Sequence, residues 1–355
     1  MITITLCMIV KNEEQLLARC LASVRPAVDE IVIADTGSTD GTAEIARQFT
    51  PRVWELAWED DFAKARNFTY ACASMDYQLW LDADDILPPA ELEKLLRLKE
   101  MLPPQTDMVT MPYHTHLDAD GLPLLTVRRE RLTKRANGYR WMDPVHECIP
   151  LQGRVYHSDV TVLHQKPPQS APNTRNLEIY EARLRKGVRL TPRQSYYYAR
   201  ELHEHGQHAQ AAERFLQCIN GGRGWAEDNI AACFYLAACY TALGVRERAL
   251  EILLRSFAFG PPRAEICCEL GYYYRDRREL SRAAEWFAFA AALTPPSDAG
   301  FLYRDYWGYI PNLELCVLHY ALGEKEKAAA CNECAAQYKP QSQAVAFNRA
   351  FFNKI

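Results

Sequence analysis

Residues 77–89, YQLWLDADDILPP, constrain this chain more than any other stretch. The apolar run Leu79-Trp80-Leu81 reads as a buried strand. It stops abruptly at Asp82, Asp84 and Asp85, and Pro88-Pro89 then opens a helix, since proline is tolerated in a first helical turn. Carboxylates at a strand's carboxyl end are costly unless something positive meets them. In an open α/β sheet, ligands bind at that edge. Asp-Ala-Asp at this position therefore points to a metal and phosphate site. The competing reading is three solvated aspartates capping the next helix.

The flanking sequence supplies the sheet. Apolar strand patterns at 3–10, 30–34, 53–58 and 77–81 alternate with amphipathic helical patterns at 13–24, 40–49, 62–75 and 89–101. Such alternation means right-handed βαβ units and a mostly parallel sheet. From 107 to 165 the pattern changes to strands, at 108–114, 124–131, 139–141, 148–151 and 160–164, with Asp120-Gly121 as a hairpin signal. The fold class is α/β, parallel first and antiparallel second. Strand one is followed by Val10-Lys11-Asn12-Glu13-Glu14, with no GxGxxG, and GxxxxGK[ST] is absent, so a metal and side chains are expected to hold any phosphates.

From 174 onward the chain is helical and repeats. Gly206, Gly244 and Gly323 each precede an alanine by five residues, Ala211, Ala249 and Ala328, and Arg278 with Ala283 makes a fourth example without the glycine. Pro261, Pro295 and Pro340 follow three of these alanines by twelve residues. Unit spacings of 38, 34 and 45 place an insertion in 296–312. These offsets resemble the tetratricopeptide repeat. The stretch Pro167-Pro168 to Pro172 reads as the linker between a domain at 1–166 and an all-α repeat domain at 174–355.

A net charge of −4 argues against nucleic-acid binding driven by overall charge, and no apolar run approaches the roughly 18 residues of a membrane span. The start, MITITLCMIVKNEE, reads as a strand and not as a signal peptide. Twelve cysteines scattered through apolar patterns favour reduced thiols in the cytoplasm. Cys331 and Cys334 form one CxxC with no second pair nearby, which reads as helix packing and not zinc.

KNEE (11–14), DTGSTDGT (35–42), FAKARN (62–67) and WLDADD (80–85), in that order, resemble an inverting family-2 glycosyltransferase of the GT-A fold. With the repeats, the nearest resemblance is to bacterial members carrying a tetratricopeptide module, a group that includes peptide S-glycosyltransferases of glycosylated bacteriocins. The resemblance implies a GT-A nucleotide-sugar-binding domain and a UDP-linked donor, with UDP-glucose a specific candidate. It assigns Asp35 to a pyrimidine N–H and points Asn12 and Glu13 at the nucleotide. Glu13 reads equally as a first-turn helix residue.

Arg66 would meet the diphosphate. A surface Arg, or a pair with Asp60 or Asp61, is the alternative. Asp84 would be the direct ligand of Mn2+ or Mg2+, with Asp82 on ribose or a metal-bound water, and His164 stands where the subfamily carries a third ligand. In the segment 138–149, which is similar to the acceptor-side loop, Glu147 is the first choice of base, Asp143 the second, and His146 an orienting group. Trp141 reads as a sugar platform or as core.

The run Arg128-Arg129-Glu130-Arg131, with Lys134-Arg135, is expected to be a solvated strand edge, with contact to a phosphate or an acidic acceptor as the alternative. The repeat domain is expected to recognise an acceptor peptide, to form a homodimer, or to buttress the transferase. The acceptor is a peptide Cys or Ser, with a cell-surface saccharide as the rival. A repeat protein with a vestigial transferase domain is the alternative from another class.

Overall fold

The computed structural model describes residues 1–118, 121–165, 173–222, 224–296 and 300–354. They form two compact units: Met1–His116 with Thr126–Tyr180, and Leu117–Leu125 with the chain from Glu181 onward.

The first unit is built on a sheet. Strand β1 (Ile4–Val10) lies between β2 (Glu30–Asp35) and β4 (Tyr77–Trp80), and β3 (Val53–Glu55) pairs with β2, all parallel. Helices α1 (Leu17–Val24), α2 (Thr42–Phe49), α3 (Phe62–Cys72) and α4 (Pro89–Met101) alternate with these strands. Strand β1 is buried on both faces, as a strand that is apolar at every position except Thr5 requires. Leu17, Cys20, Leu21 and Val24 of α1 pack on Ile4, Leu6 and Met8 in the main core. Register pairs Val10 with Asp35 and Cys7 with Trp80. The loops after β1, β2 and β4 therefore leave the sheet at one edge, the ligand edge of an open α/β sheet.

The sheet continues through β5 (Asp85–Ile86), β6 (Met108–Leu117), β7 (Pro123–Lys134), β8 (Val155–His157) and β9 (Val162–His164). The strand order is β3-β2-β1-β4-β7-β6-β9-β5, and β8 also pairs with β6. The β4–β7 and β5–β9 pairs are antiparallel, but β8 and β9 both run parallel to β6. The second half is thus mixed, not purely antiparallel.

Several local expectations are corrected. Helix α1 begins at Leu17 and not at 13, because Asn12 takes a left-handed φ of 54° and the Glu13 carbonyl closes a turn onto Leu16 and Leu17. Residues 139–141 and 148–151 make no strands; one bridge, Met142 to Cys148, is all that forms there. The Arg128–Arg131 run is not a solvated edge. Strand β7 lies inside the sheet between β4 and β6, and Arg131 is fully buried. The hairpin falls where expected, with Gly121 at φ 74°, although Asp120 and the proline linker 167–172 lie outside the described residues.

The second unit is helical. Helices pair as α6 (Pro192–Glu204) with α7 (His208–Gly221), α8 (Ala226–Ala242) with α9 (Arg246–Arg255), α10 (Ala264–Asp276) with α11 (Leu280–Ala292), and α12 (Tyr309–Ala321) with α13 (Lys325–Tyr338). The helix α14 (Gln343–Phe352) follows, and α5 (Arg175–Arg185) precedes the series. The repeat offsets have a physical cause. Gly206, Gly244 and Gly323 turn each hairpin at φ 74°, 77° and 83°, and Arg278 takes the same left-handed conformation at 64° where the glycine is missing. Ala211, Ala249, Ala283 and Ala328 are buried where the second helix meets the first. Cys331 packs into an apolar cluster, whereas its CxxC partner Cys334 is exposed, so only one of the pair is a packing residue.

Candidate active site

Two loops are stitched together at the sheet edge. The Asn12 backbone N–H donates to Ser38 Oγ and the Asn12 side-chain oxygen accepts from the Thr39 N–H, while the Glu13 N–H donates to Thr42 Oγ1. Asp35 is buried, and its Oδ1 accepts from the backbone N–H groups of Gly37 and Ser38 at 2.9 and 2.7 Å. This Asx-type turn swings the DTGSTDGT loop over the end of β2.

Beside these loops lies a cavity of about 540 Å3. Asn12, Glu13, Arg66, Asp82, Asp84, His146, Glu147 and His164 all line it. Asp35 and Asp143 are not among the lining residues. Eight side chains from five separate segments, chosen from sequence, therefore meet in one place.

Arg66 is the centre of that convergence. It lies on α3, whose N-cap Asp61 accepts from the Lys64 N–H at 2.9 Å. Its Nε donates to Glu147 Oε1 at 2.6 Å and its Nη2 to Asp82 Oδ1 at 2.7 Å. It does not pair with Asp60 or Asp61. The guanidinium lies over both Trp80 and Trp141, 4.8 Å from each ring centroid. Its Nη1 is buried and has no hydrogen-bond partner among the described residues. Burial opposes the charge of Arg66, but Asp82 and Glu147 outweigh it and raise its pKa above the ordinary value. Burial likewise opposes the Asp82 carboxylate, yet Arg66, with Arg131 and Arg129 behind it, holds that group at about 2.

His164 ends β9, next to Asp84. Its Nδ1 lies 3.3 Å from Asp84 Oδ1 and 2.8 Å from the Tyr113 hydroxyl. Burial disfavours the charged ring, but the hydrogen bonds and charges of Asp84 and Asp85 prevail and raise His164 to about 10. Asp84, Asp85 and His164 have donor atoms within 4.8 Å of one another; Asp82 is not in that cluster. Carboxylate and imidazole donors of this kind suit a divalent ion such as Mn2+ or Mg2+.

Residues 5–152 match the family described as Glycosyl transferase family 2. A TPR repeat-containing protein of Synechococcus elongatus is 30% identical over 86% of this chain and 72% of its own length. The chain belongs to the family-2 glycosyltransferases that carry tetratricopeptide repeats. The SPbeta prophage-derived glycosyltransferase SunS of Bacillus subtilis is 27% identical over 61% of the chain, which spans about half (53%) of that relative. Among solved structures, glucosyl-3-phosphoglycerate synthase from Mycobacterium tuberculosis, in complex with Mn2+, UDP-glucose and phosphoglyceric acid, aligns with a TM-score of 0.37. It shares 18% identity and covers 54% of this chain and 82% of that one. Among the described residues of this transferase, no helix is long and apolar enough to cross a membrane.

Sequence reasoning missed the support beneath the candidate site. Asp85, for which the sequence suggested only a solvated cap on the next helix or a place beside Asp82 and Asp84, is instead fully buried at the centre of a network. Its Oδ2 accepts from Arg131 Nη1 at 2.8 Å and from the Asp82 N–H at 3.0 Å, and its Oδ1 accepts from the Tyr113 hydroxyl at 2.8 Å. Arg129, two residues before Arg131 and thus on the same face of β7, stacks over Trp80 and donates to the Glu147 carbonyl at 3.1 Å. Trp141 is core: it is buried, edge-on to Trp80 and Tyr70, and offers no open sugar platform. One signal was available. An acidic cluster at 82–85 and a basic run at 128–131 are the complement that a buried strand pairing needs.

Proposed function

We propose that this transferase is metal-dependent and inverting, and that it moves a sugar from a UDP-linked donor, UDP-glucose first among those to test, to a peptide Cys or Ser side chain. The observation that carries this reading is Arg66. It ties Asp82, on the donor side, to Glu147, on the acceptor side, and keeps a buried donor, Nη1, without a partner. An orphan guanidinium nitrogen in a cavity of this size is suited to a diphosphate oxygen.

In this reading Asn12, Glu13 and Asp35 hold the nucleoside, and Asp82 faces the ribose. Asp84 and His164 would hold Mn2+ or Mg2+, with Asp82 at the edge of that shell, and the ion supplies Lewis-acid charge to the leaving diphosphate. Glu147 is the general base in preference to Asp143, because it lines the cavity and Arg66 fixes its carboxylate. His146, which also lines the cavity, orients the base or the leaving group. The domain at 1–166 is catalytic, and the repeat domain at 174–355 serves acceptor recognition or homodimerisation. A cytoplasmic location fits twelve cysteines scattered through apolar patterns.

Purified protein with Mn2+ and a panel of UDP-sugars should release UDP, and Asp84→Ala should lower turnover by about 10²-fold or more. Equal turnover in that variant would sink the metal assignment. Cys- and Ser-containing peptides compared with saccharide acceptors decide the second half. A thiol, with a pKa of about 8.5, needs less help from a base than a hydroxyl. Glu147→Gln should therefore spare thiol transfer far more than hydroxyl transfer.

A further inference from the structure

The repeat unit holds a cluster of metal-binding side chains that the transfer reaction does not use. His203 lies in the last turn of α6, His208 opens α7, and Cys239 lies near the end of α8. Their donor atoms are within 4.8 Å of one another. His203 Nδ1 is 3.3 Å from Cys239 Sγ, and the two imidazole centroids are 5.3 Å apart.

In a tetrahedral zinc site, Zn–N bonds of about 2.0–2.1 Å and a Zn–S bond of about 2.3 Å set neighbouring donors roughly 3.3–3.6 Å apart. The His203–Cys239 pair, at 3.3 Å, is within a few tenths of an ångström of the separation such a site needs. A thiol–imidazole hydrogen bond would account for those two residues but leaves His208 unexplained. Its Nδ1 is buried and has no hydrogen-bond partner among the described residues. A buried nitrogen in that state is costly unless something takes its lone pair or its proton. His205, on the same turn, lies outside this cluster: its Nδ1 is held by the Glu201 carbonyl at 2.8 Å, although its Nε2 is likewise buried without a partner among the described residues. Three of the nine histidines of the chain fall in the six residues 203–208.

We infer that His203, His208 and Cys239 bind a divalent ion of the zinc class, with water in the fourth position. The Cys239 S–H bond breaks as the metal–sulfur bond forms, the proton leaves to solvent, and no electron is transferred. The ion joins α6 and α7, the first helix pair, to α8 of the second, a contact between neighbouring repeats on which a stacked array depends. The inference is independent of which sugar or acceptor the transferase uses.

Zinc and cobalt(II) titrations of the full-length chain test it, in an Asp84→Ala background that disables the other ligand cluster. One equivalent of zinc should bind, with release of a proton. Cobalt should give tetrahedral d–d bands and a near-ultraviolet thiolate-to-cobalt transition that Cys239→Ser removes. His208→Gln, at a partly exposed turn, should weaken zinc at least about tenfold, since even outer-shell losses cost that much. Failure to bind zinc, cobalt bound without the thiolate band, or unchanged affinity in His208→Gln would each overturn the site.

Discussion

Replacing Arg131 by methionine isolates what the buried network under the site contributes. Arg131 and Asp85 form an ion pair with both side chains at 0% exposure. Methionine keeps the apolar stem but removes the charge, the 2.8 Å bond to Asp85 and the 3.2 Å bond to the Trp80 carbonyl. It also removes the stacking of the guanidinium on Trp80 and Tyr113, at 3.7 and 4.3 Å from their centroids. A hydrogen bond to a charged group is worth about 1.5–3 kcal/mol, and a desolvated cation–π contact about 2 kcal/mol.

Against that loss, Arg131 Nε and Nη2 are buried without partners, and their removal returns part of the cost. The balance is about 3–4 kcal/mol, within the range for stranding one member of a buried pair. With an m-value of about 2 kcal/mol per molar, the urea midpoint of the transferase unit should fall by roughly 1.5–2 M. The double variant Asp85→Asn/Arg131→Met should recover most of this, because no uncompensated carboxylate remains. A midpoint shift under about 0.5 M, or additive single-variant effects, would refute the reasoning.

Three further outcomes are expected. Burial raises Asp228 to about 6, above its unfolded value, so its charged form destabilises the native state above that pH and costs nothing below about 4. Asp228→Asn should accordingly stabilise by about 2–3 kcal/mol at pH 8 and by almost nothing at pH 4, as read from thermal or urea unfolding across pH. Arg278→Gly, at an exposed φ of 64°, should raise stability by about 0.5–1 kcal/mol by relieving left-handed strain; a loss would mean that the Arg278 side chain matters more than its backbone. Gly271→Ala places a Cβ 2.6 Å from the ring of Phe287, which is fully buried, and should destabilise by about 1–3 kcal/mol, measurable as a lowered Tm.

The convergence of the candidate site residues was legible because they follow strands that end at one edge. Asn12, Asp82 and Asp84 come just after β1 and β4, and parallel register sends such loops to the same side. Repeat positions were legible for a similarly local reason. A left-handed turn calls for glycine and close helix packing calls for alanine, and both leave marks at fixed offsets, even at Arg278 where the glycine is gone. Helix and strand ends were read less well, because Asn12 and the segment 138–150 are shaped by contacts with residues far away in the chain. Asn67 Nδ2, for example, donates to the Trp141 carbonyl at 3.0 Å.

By itself, then, the sequence determined the alternation that makes the sheet, the loops that leave its carboxyl edge, and the helix-pair repeat. Only the tertiary structure decided what the charges do. Arg66 meets Asp82 across 16 residues and Glu147 across 81, and Arg131 meets Asp85 across 46. A period-2 pattern in β7 fixes which side chains share a face, but not whether that face meets water or the acidic loop. The pairing of β4 with β7 settles that, and it turns an apparently solvated basic run into the buried counter-charge of the site.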